Sequence, residues 1–183
     1  MGGHCGGIFG DIASQGDKNS KYLQQPFPVK KHIKMDKFQI AQINVGRIKG
    51  ININDPIMKE FVDNLDRVNN LAENSKGFIW RLKDENNNAT NLNPYNDEQV
   101  IINVSVWATI EDLENFVYKT FHTDFLRRRK EWFQTFGKAY TAMWWVPAGQ
   151  FPAIKEATEK LDYLQKNGAS QIVFDYKNKF PQP

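Results

Sequence analysis

The sequence predicts one α+β domain of the ferredoxin-like type, with a small antiparallel sheet and helices packed on one face. Four short stretches alternate apolar and polar residues as strands do, and longer stretches between them carry apolar residues at helical spacing. These stretches follow in the order strand, helix, strand, strand, helix, strand, which is the order of a split βαβ unit. A chain of 183 residues has room for one hydrophobic core of this kind.

The N-terminal part differs in composition from the rest of the chain. The first 20 residues contain six glycines, and a segment rich in Gln and Pro, followed by Lys30 and Lys31, leads into the first strand. Such a composition is typical of a segment without a packed core. We predict a flexible N-terminal extension over 1–34, a domain over 35–176 and a tail over 177–183.

The first half of the domain is predicted to form a strand, a helix, a second strand and a loop. Residues 38–45 alternate as a strand does. Asp55 is placed to cap a helix, with Pro56 in the first turn, where the missing N–H group costs no hydrogen bond. A second strand is predicted at 77–82, and the Asn-rich stretch 84–97 is predicted to be a polar hairpin loop.

The second half contains a change of helical phase. Thr109, followed by an Asp three residues later, resembles a capping box and predicts a helix start. Two apolar stripes follow that differ in rotation, so we expect a kink or break near Thr123. The other predicted elements are strands at 99–107 and 140–146, a helical stretch at 125–136, a C-terminal helix from Pro152 and a short last strand at 172–176.

Alternation along the strands separates an aliphatic face from a mixed polar and aromatic face. In the third strand the aliphatic face consists of Val100, Ile102, Val104 and Val106. The mixed face consists of Gln42, Asn44, Asn103, Ser105 and Trp107, with Trp80 or Arg81 and Trp144 or Trp145 beside them. We expect the crossing helices to pack on the aliphatic face, which leaves the mixed face for a second subunit, extra segments or a ligand.

Two interpretations of the mixed face stay open. A wet dimer interface is favoured for the face as a whole, because such interfaces are enriched in aromatic residues. The alternative is a ligand pocket, in which apolar walls surround a few placed polar groups. Both can hold at once.

A second helical stripe carries two candidate catalytic residues, His122 and Arg129. An arginine centred on an aromatic stripe, with Tyr118 and Trp132 at helical spacing, differs from the usual solvated charge. In the structural interpretation His122 is satisfied by a hydrogen bond and Arg129 by a cation–π contact or ion pair. In the functional interpretation Arg129 holds an anion or a carbonyl group, and His122 transfers a proton or acts as an axial ligand.

Composition and missing motifs argue against several classes of function. A net charge of +3 is too small to predict a nucleic-acid partner. One cysteine allows no internal disulfide, and a single histidine in the domain makes a metal site unexpected. No nucleotide-binding loop or nucleophile elbow occurs. No apolar run is long enough to cross a membrane and no signal peptide is visible, so we expect a cytoplasmic protein.

Several blocks, taken in order, resemble a bacterial family known as domain of unknown function 3291. The resemblance covers about residues 38–174, nearly the whole domain. The blocks are QINVGR at 42–47, DP at 55–56, GFIWR at 77–81, NVSVW at 103–107, LRRRKEWF at 126–133 and WWVPAG at 144–149.

This resemblance implies a dimeric α/β barrel, in which two ferredoxin-like units pair sheet to sheet. Relatives in that superfamily include cofactor-independent monooxygenases and haem-degrading enzymes. The haem-degrading relatives use an Asn, a Trp and a His; Asn44 matches the first, but Phe116 stands at the Trp position and His122 lies closer to Trp107 than the pattern requires. No cofactor is therefore predicted, since the haem ligand pattern is not reproduced.

Two hypotheses of function follow. The first is a homodimeric monooxygenase-like enzyme for a small aromatic or polyketide-like molecule, with His122 and Arg129 as catalytic residues. The second is a ligand-binding or stress-associated homodimer without catalysis. A dead-ended pocket that exposes both catalytic candidates favours the enzyme, and their burial against a partner favours the structural dimer. The predicted ligand-binding residues are Asn44, Trp80, Asn103, Trp107, Tyr118 and Trp144.

Overall fold

The computed structural model describes residues 37–120, 122–135 and 137–183, so the predicted N-terminal extension lies outside the described residues. Four strands form one sheet: β1 (Phe38–Arg47), β2 (Phe78–Arg81), β3 (Val100–Trp107) and β4 (Thr141–Pro147). The helices are α1 (Lys59–Asp63), α2 (Leu65–Glu73), α3 (Ile110–Lys119), α4 (His122–Trp132) and α5 (Ile154–Asn167). A 3-10 turn, Pro56–Met58, precedes α1.

The sheet is antiparallel and its strands lie in the order β2-β3-β1-β4. With α1 and α2 between β1 and β2, and α3 and α4 between β3 and β4, this is the ferredoxin-like arrangement that the sequence predicts. The α+β fold class is therefore confirmed. No helix in the described part of the chain is long and apolar enough to cross a membrane.

The predicted helix caps are present. Asp55 Oδ1 accepts a hydrogen bond from the Ile57 N–H at 3.1 Å, and Thr109 Oγ1 accepts one from the Asp112 N–H at 3.0 Å. Each cap satisfies a backbone donor that has no partner within its helix. The first helical stretch, predicted as one helix, is divided at Asn64 into α1 and α2.

The break between α3 and α4 lies at Thr120, slightly before the predicted position at Thr123. Thr120 has an extended backbone conformation and ends α3. Its hydroxyl donates to the Phe116 carbonyl at 2.6 Å and accepts from the His122 N–H at 3.2 Å. One side chain thus satisfies backbone groups of both helices, which explains why the break occurs at this threonine.

The last strand predicted at 172–176 is reduced to a single bridge. Within the described part of the chain this segment pairs only through Phe174 and Met143, which exchange two backbone hydrogen bonds of 2.7 and 2.8 Å. The segment runs along the outer edge of β4. This pair of hydrogen bonds attaches the segment to the edge of β4 without adding a fifth strand to the sheet.

The assignment of the two faces is reversed. The aliphatic face packs against α5 and against Leu92 and Tyr95 of the 84–97 loop, whereas α1 to α4 lie on the mixed face. Alternation separates two faces but does not say which one the crossing helices cover. The handedness of the β1-to-β2 crossover decides that point. The mixed face is therefore not an open surface.

Candidate functional site

Two hydrophobic clusters close the two ends of the mixed face. One, the Phe116 cluster, joins the sheet to α2 and α3, and the other, the Trp132 cluster, joins it to the 3-10 turn and α4. The Phe116 cluster contains Ile40, Ala72, Trp107, Leu113, Phe116, Met143 and Phe174. The Trp132 cluster contains Ile48, Met58, Ile101 and Trp132.

Between these clusters the sheet carries a row of hydrogen-bonding side chains, here called the polar row: Gln42, Asn44, Asn103, Ser105 and Thr141. Their positions follow from the strand register, which pairs Gln42 with Ser105, and Asn44 with both Asn103 and Thr141. Side chains opposite one another on one face of an antiparallel sheet are near neighbours. The sequence pattern and the register together therefore build this row.

The polar row is held by hydrogen bonds among its own members. Gln42 Nε2 donates to Ser105 Oγ at 3.1 Å and to Asn103 Oδ1 at 3.2 Å. Asn44 Nδ2 donates to Thr141 Oγ1 at 2.8 Å. The indole Nε1 of Trp107 donates to the same Ser105 hydroxyl oxygen at 2.9 Å, which ties the row to the Phe116 cluster. Pairing of this kind is what makes buried polar groups stable in a sheet.

Asn103 is exposed in the middle of β3, at a position that pairs with Asn44 of β1 but lies beyond the end of β2, whose last residue Arg81 pairs with Ser105. Ile101 and Ser105, which precede and follow it on the same face, are buried at 9% and 5% exposure. The Phe116 cluster and the Trp132 cluster cover this face on either side of Asn103, and Asn103 stays open between them, where β2 no longer pairs with β3. Solvent reaches the polar row at that point.

A cavity of about 440 Å³ lies between α4 and the α1–α2 pair, above the same face. One wall comes from α4 and the other from α1, α2 and the residue between them. Its lining residues are Glu60, Asn64, Arg67, Asp124, Phe125, Arg127 and Arg128. At its rim Arg128 donates to both carboxylate oxygens of Glu60, at 2.6 and 2.7 Å, and so links α4 to α1.

A second cavity of about 410 Å³ lies farther out, between the start of α1 and the end of α4. Charged side chains form most of its wall, and Trp132 contributes the aromatic part. None of the site residues predicted from the sequence lines either cavity. The pocket that would expose both His122 and Arg129 is thus not one of these two.

His122 begins α4 and is partly buried beside the Phe116 cluster. Its ring packs on Phe116 with centroids 4.9 Å apart, and its Nδ1 lies 3.3 Å from the Val117 carbonyl oxygen. Burial lowers the pKa of His122 below its usual value, although the Val117 carbonyl acts in the opposite direction. His122 is therefore neutral at pH 7, with Nδ1–H facing the carbonyl and Nε2 left as an acceptor.

Arg129 lies on the sheet-facing side of α4 and contacts two aromatic rings. Its guanidinium carbon is 3.9 Å from the centre of the Tyr140 ring and 5.6 Å from that of Phe133. Phe133 in turn covers Gly46, where a Cβ atom would lie 2.6 Å from the Phe133 ring. The predicted cation–π contact of Arg129 is present.

Tyr118 is half exposed on α3 and lies away from the polar row. Its ring meets that of Tyr176 edge to face, with centroids 5.6 Å apart. Burial raises the pKa of Tyr118, and Tyr140 and Glu114 raise it further. Tyr118, Tyr140 and Tyr176 therefore form an aromatic group beside Arg129.

Two predicted site residues lie on the opposite face of the sheet. Trp144 is buried in the aliphatic core and donates from Nε1 to Glu156 of α5 at 3.0 Å. Trp80 packs against the same core and stacks on Phe151, with ring centroids 5.2 Å apart. They lie on the aliphatic face rather than on the mixed face, because adjacent residues of a strand point to opposite faces, and the sequence left both pairs ambiguous.

The alternative members of these pairs, Trp145 and Arg81, lie on the mixed face. Trp145 donates from Nε1 to the Phe180 carbonyl at 3.0 Å. Arg81 is buried at 5% exposure and donates from Nε to Glu73 of α2 at 2.8 Å. The register of β2 against β3, which pairs Arg81 with Ser105, is the signal that would have identified it.

The described residues contain no group of three His, Cys, Asp or Glu side chains that could hold a metal ion. The polar row itself offers amides and hydroxyls, whereas the cavity between α4 and the α1–α2 pair is lined mainly by arginines and carboxylates. Such groups bind polar organic molecules through directed hydrogen bonds. The arrangement can orient a ligand, and His122 adds one proton acceptor at the edge of the site.

Comparison with known proteins gives a family and a weak structural likeness. A family model described as domain of unknown function (DUF3291) matches residues 39–183. A protein of unknown function from Nitrosomonas europaea, NE2512, has a crystal structure that is similar with a TM-score of 0.41 and 12% identity, over 64% of this chain and 97% of that chain. No curated protein matches the sequence.

Proposed function

The chain belongs to the DUF3291 family, whose description names no activity, and we propose from its geometry that it binds a small polar molecule over the polar row. The ligand would enter the gap between α4 and the α1–α2 pair. Its polar groups would meet the side chains of Asn103 and Asn44, and its apolar part would lie against the flanking aromatic clusters. This is the ligand-binding alternative of the two hypotheses.

The exposure of Asn103 is the observation that carries the proposal. Asn103 lies beyond the end of β2, and its side chain is open to solvent although its neighbours on the same face, Ile101 and Ser105, are buried. The helices meet the sheet at both ends of the mixed face, and a cavity of about 440 Å³ lies between α4 and the α1–α2 pair on the same side of the sheet. Sites of this kind combine apolar walls with a few polar groups in fixed positions.

A fragment screen on the full chain tests this proposal. Compounds that raise the melting temperature are titrated by NMR into the wild-type protein and into Asn103→Leu, which removes both hydrogen-bonding groups at nearly constant volume. Gln42 keeps Ser105 as an acceptor, so we expect the variant to fold. Affinity should fall by about three- to tenfold, the value of a lost hydrogen bond.

Asn70→Leu is the matched control, because Asn70 is an exposed amide on α2 outside the gap. Its substitution should leave the same titrations unchanged. Binding that Asn103→Leu does not weaken, or that Asn70→Leu weakens equally, would place the ligand elsewhere. A screen without any bound compound would argue against ligand binding at this face.

The second candidate is a cofactor-independent, monooxygenase-like enzyme for a small aromatic or polyketide-like molecule. The neutral state of His122 favours it, since a neutral imidazole with an unprotonated Nε2 can accept a proton from an acidic substrate at pH 7. Oxygen uptake with electron-rich phenols is the assay. Oxygen uptake by the wild-type protein that disappears in His122→Phe would support the enzyme. If no oxygen is taken up with such probes, ligand binding is left as the function.

Pairing into a homodimer stays a prediction. Each sheet face is covered by the chain's own helices, so a partner would have to contact residues beyond the faces, such as the exposed Phe151 beside Trp80. Light scattering of the full chain during size-exclusion chromatography gives its mass in solution. A monomeric mass would refute the dimer without affecting the binding site.

A further inference from the structure

The guanidinium of Arg129 has aromatic partners but no polar partner among the described residues. It stacks on Tyr140 and lies near Phe133, and within the described part of the chain it donates no hydrogen bond and forms no ion pair. Its neighbour Arg128 differs, with four hydrogen bonds of 2.6–2.9 Å to Glu60 and Glu131. A planar guanidinium normally uses several of its five donors.

Both rings that contact Arg129 belong to residues that lie next to the polar row. Tyr140 immediately precedes Thr141, and Phe133 covers Gly46, two positions along β1 from Asn44. The Tyr140 ring stacks on the guanidinium at 3.9 Å, and the Phe133 ring lies farther away at 5.6 Å. The edge of the guanidinium, which carries the N–H groups, is the part left for a ligand.

Among the described residues, the carboxylates of Glu114 and Glu131 already have other cationic partners. Glu114, the carboxylate near the tyrosines, is paired with Lys179. Glu131 forms an ion pair with Arg128, which lies on another side of α4. Burial raises the pKa of Tyr176, and Tyr118, Glu114 and Tyr140 add to that effect, so its hydroxyl stays neutral at pH 7.

We propose that Arg129 is a preformed anchor for a carboxylate, and that the natural ligand is a small aromatic acid. This inference rests on the proposed function, because it names the class of ligand that would lie over the polar row. The two donors on the guanidinium edge match the two oxygens of a carboxylate. Tyr118 and Tyr176, which lie near Tyr140, offer aromatic surface to the body of such a ligand.

Paired probes test the inference on the full chain. Benzoate, 4-hydroxybenzoate and indole-3-acetate are each compared with the corresponding neutral carboxamide in NMR titrations. We expect each acid to bind at least about tenfold more tightly than its amide, because a charge-assisted, two-pronged contact is stronger than a neutral one. The preference should shrink with added salt.

Two variants of α4 identify the residue responsible. Arg129→Gln should remove the preference for acids while leaving the affinity for the carboxamides. Lys130→Gln, which removes the same charge from the adjacent exposed position, should keep the preference. Melting curves of both variants establish that they are folded.

The outcomes separate this inference from the function it rests on. If acids and amides bind equally, or if Lys130→Gln loses the preference as well, Arg129 is not the anchor and the binding site itself stands. If neither acids nor amides bind, both the anchor and the proposed function are refuted.

Discussion

Replacement of Gly46 with alanine tests the close packing that positions Arg129. A Cβ atom at this position would lie 2.6 Å from Cε1 and 2.7 Å from Cδ1 of the Phe133 ring. The ring cannot retreat freely, because Phe61 contacts it edge to face at 5.2 Å and its backbone is bridged to Ile48. Overpacking of this kind costs about 1–3 kcal/mol.

Urea unfolding followed by tryptophan fluorescence measures this cost in a double-mutant cycle. Gly46→Ala should lower the free energy of unfolding by about 1–3 kcal/mol, or the melting temperature by about 2–12 °C for a domain of this size. Phe133→Leu removes the opposing ring edge, so the double variant should be more stable than the sum of the single effects predicts, by about 1 kcal/mol or more.

The coupling free energy between Gly46→Ala and Phe133→Leu decides whether the contact exists. Additive effects of the two substitutions would mean that Phe133 does not lie over Gly46 and would refute the contact. A second readout follows from the site: displacement of Phe133 should weaken binding of benzoate more than binding of benzamide, since Phe133 helps to hold the guanidinium of Arg129.

Three further predictions concern the rest of the domain. Gly77→Ala combines a positive φ of 76° with a Cβ position 2.3 Å from the Asp112 carboxylate, so we expect a loss of about 2–4 kcal/mol in urea unfolding; a loss below about 1 kcal/mol would contradict the close approach. Trp107→Phe removes the donor to Ser105 and should lower the free energy of unfolding by about 1–2 kcal/mol. An unchanged free energy of unfolding would count against this buried hydrogen bond. Because the folded-state pKa of His122 lies below its usual 6.5, the unfolded chain binds the proton more readily, and stability should fall as the pH drops below about 6.5. That part of the pH dependence should be absent in His122→Gln, and identical profiles for the two proteins would refute it.

The local features of the fold could be predicted from the sequence because short-range chemistry encodes them. Asp55 and Thr109 were expected to cap helices, and their oxygens accept the first-turn N–H groups. The four sheet strands and their order relative to the helices were also expected. Alternation correctly grouped Asn44 with Asn103 on one face, since neighbours of this kind repeat every second residue.

Other features depended on contacts between distant segments. Thr120 rather than Thr123 ends α3, because the Thr120 hydroxyl meets both the Phe116 carbonyl and the His122 N–H. The pair Trp144 and Trp145 could not be resolved, because each position along β4 is equally compatible with either face until β4 is registered against β1. The predicted last strand shrank to a bridge for a related reason, since Phe174 alone finds a partner on β4 among the described residues.

The sequence by itself determined the two faces of the sheet and the grouping of His122 with Arg129 on one stripe of α4. The tertiary structure decided which face the crossing helices cover, and so turned the mixed face from an expected open surface into a covered one with a gap at Asn103. It also placed the rings of Tyr140 and Phe133 against Arg129. Periodicity records which side chains share a face, whereas handedness and register, which arise only when segments far apart in the chain meet, decide what that face contacts.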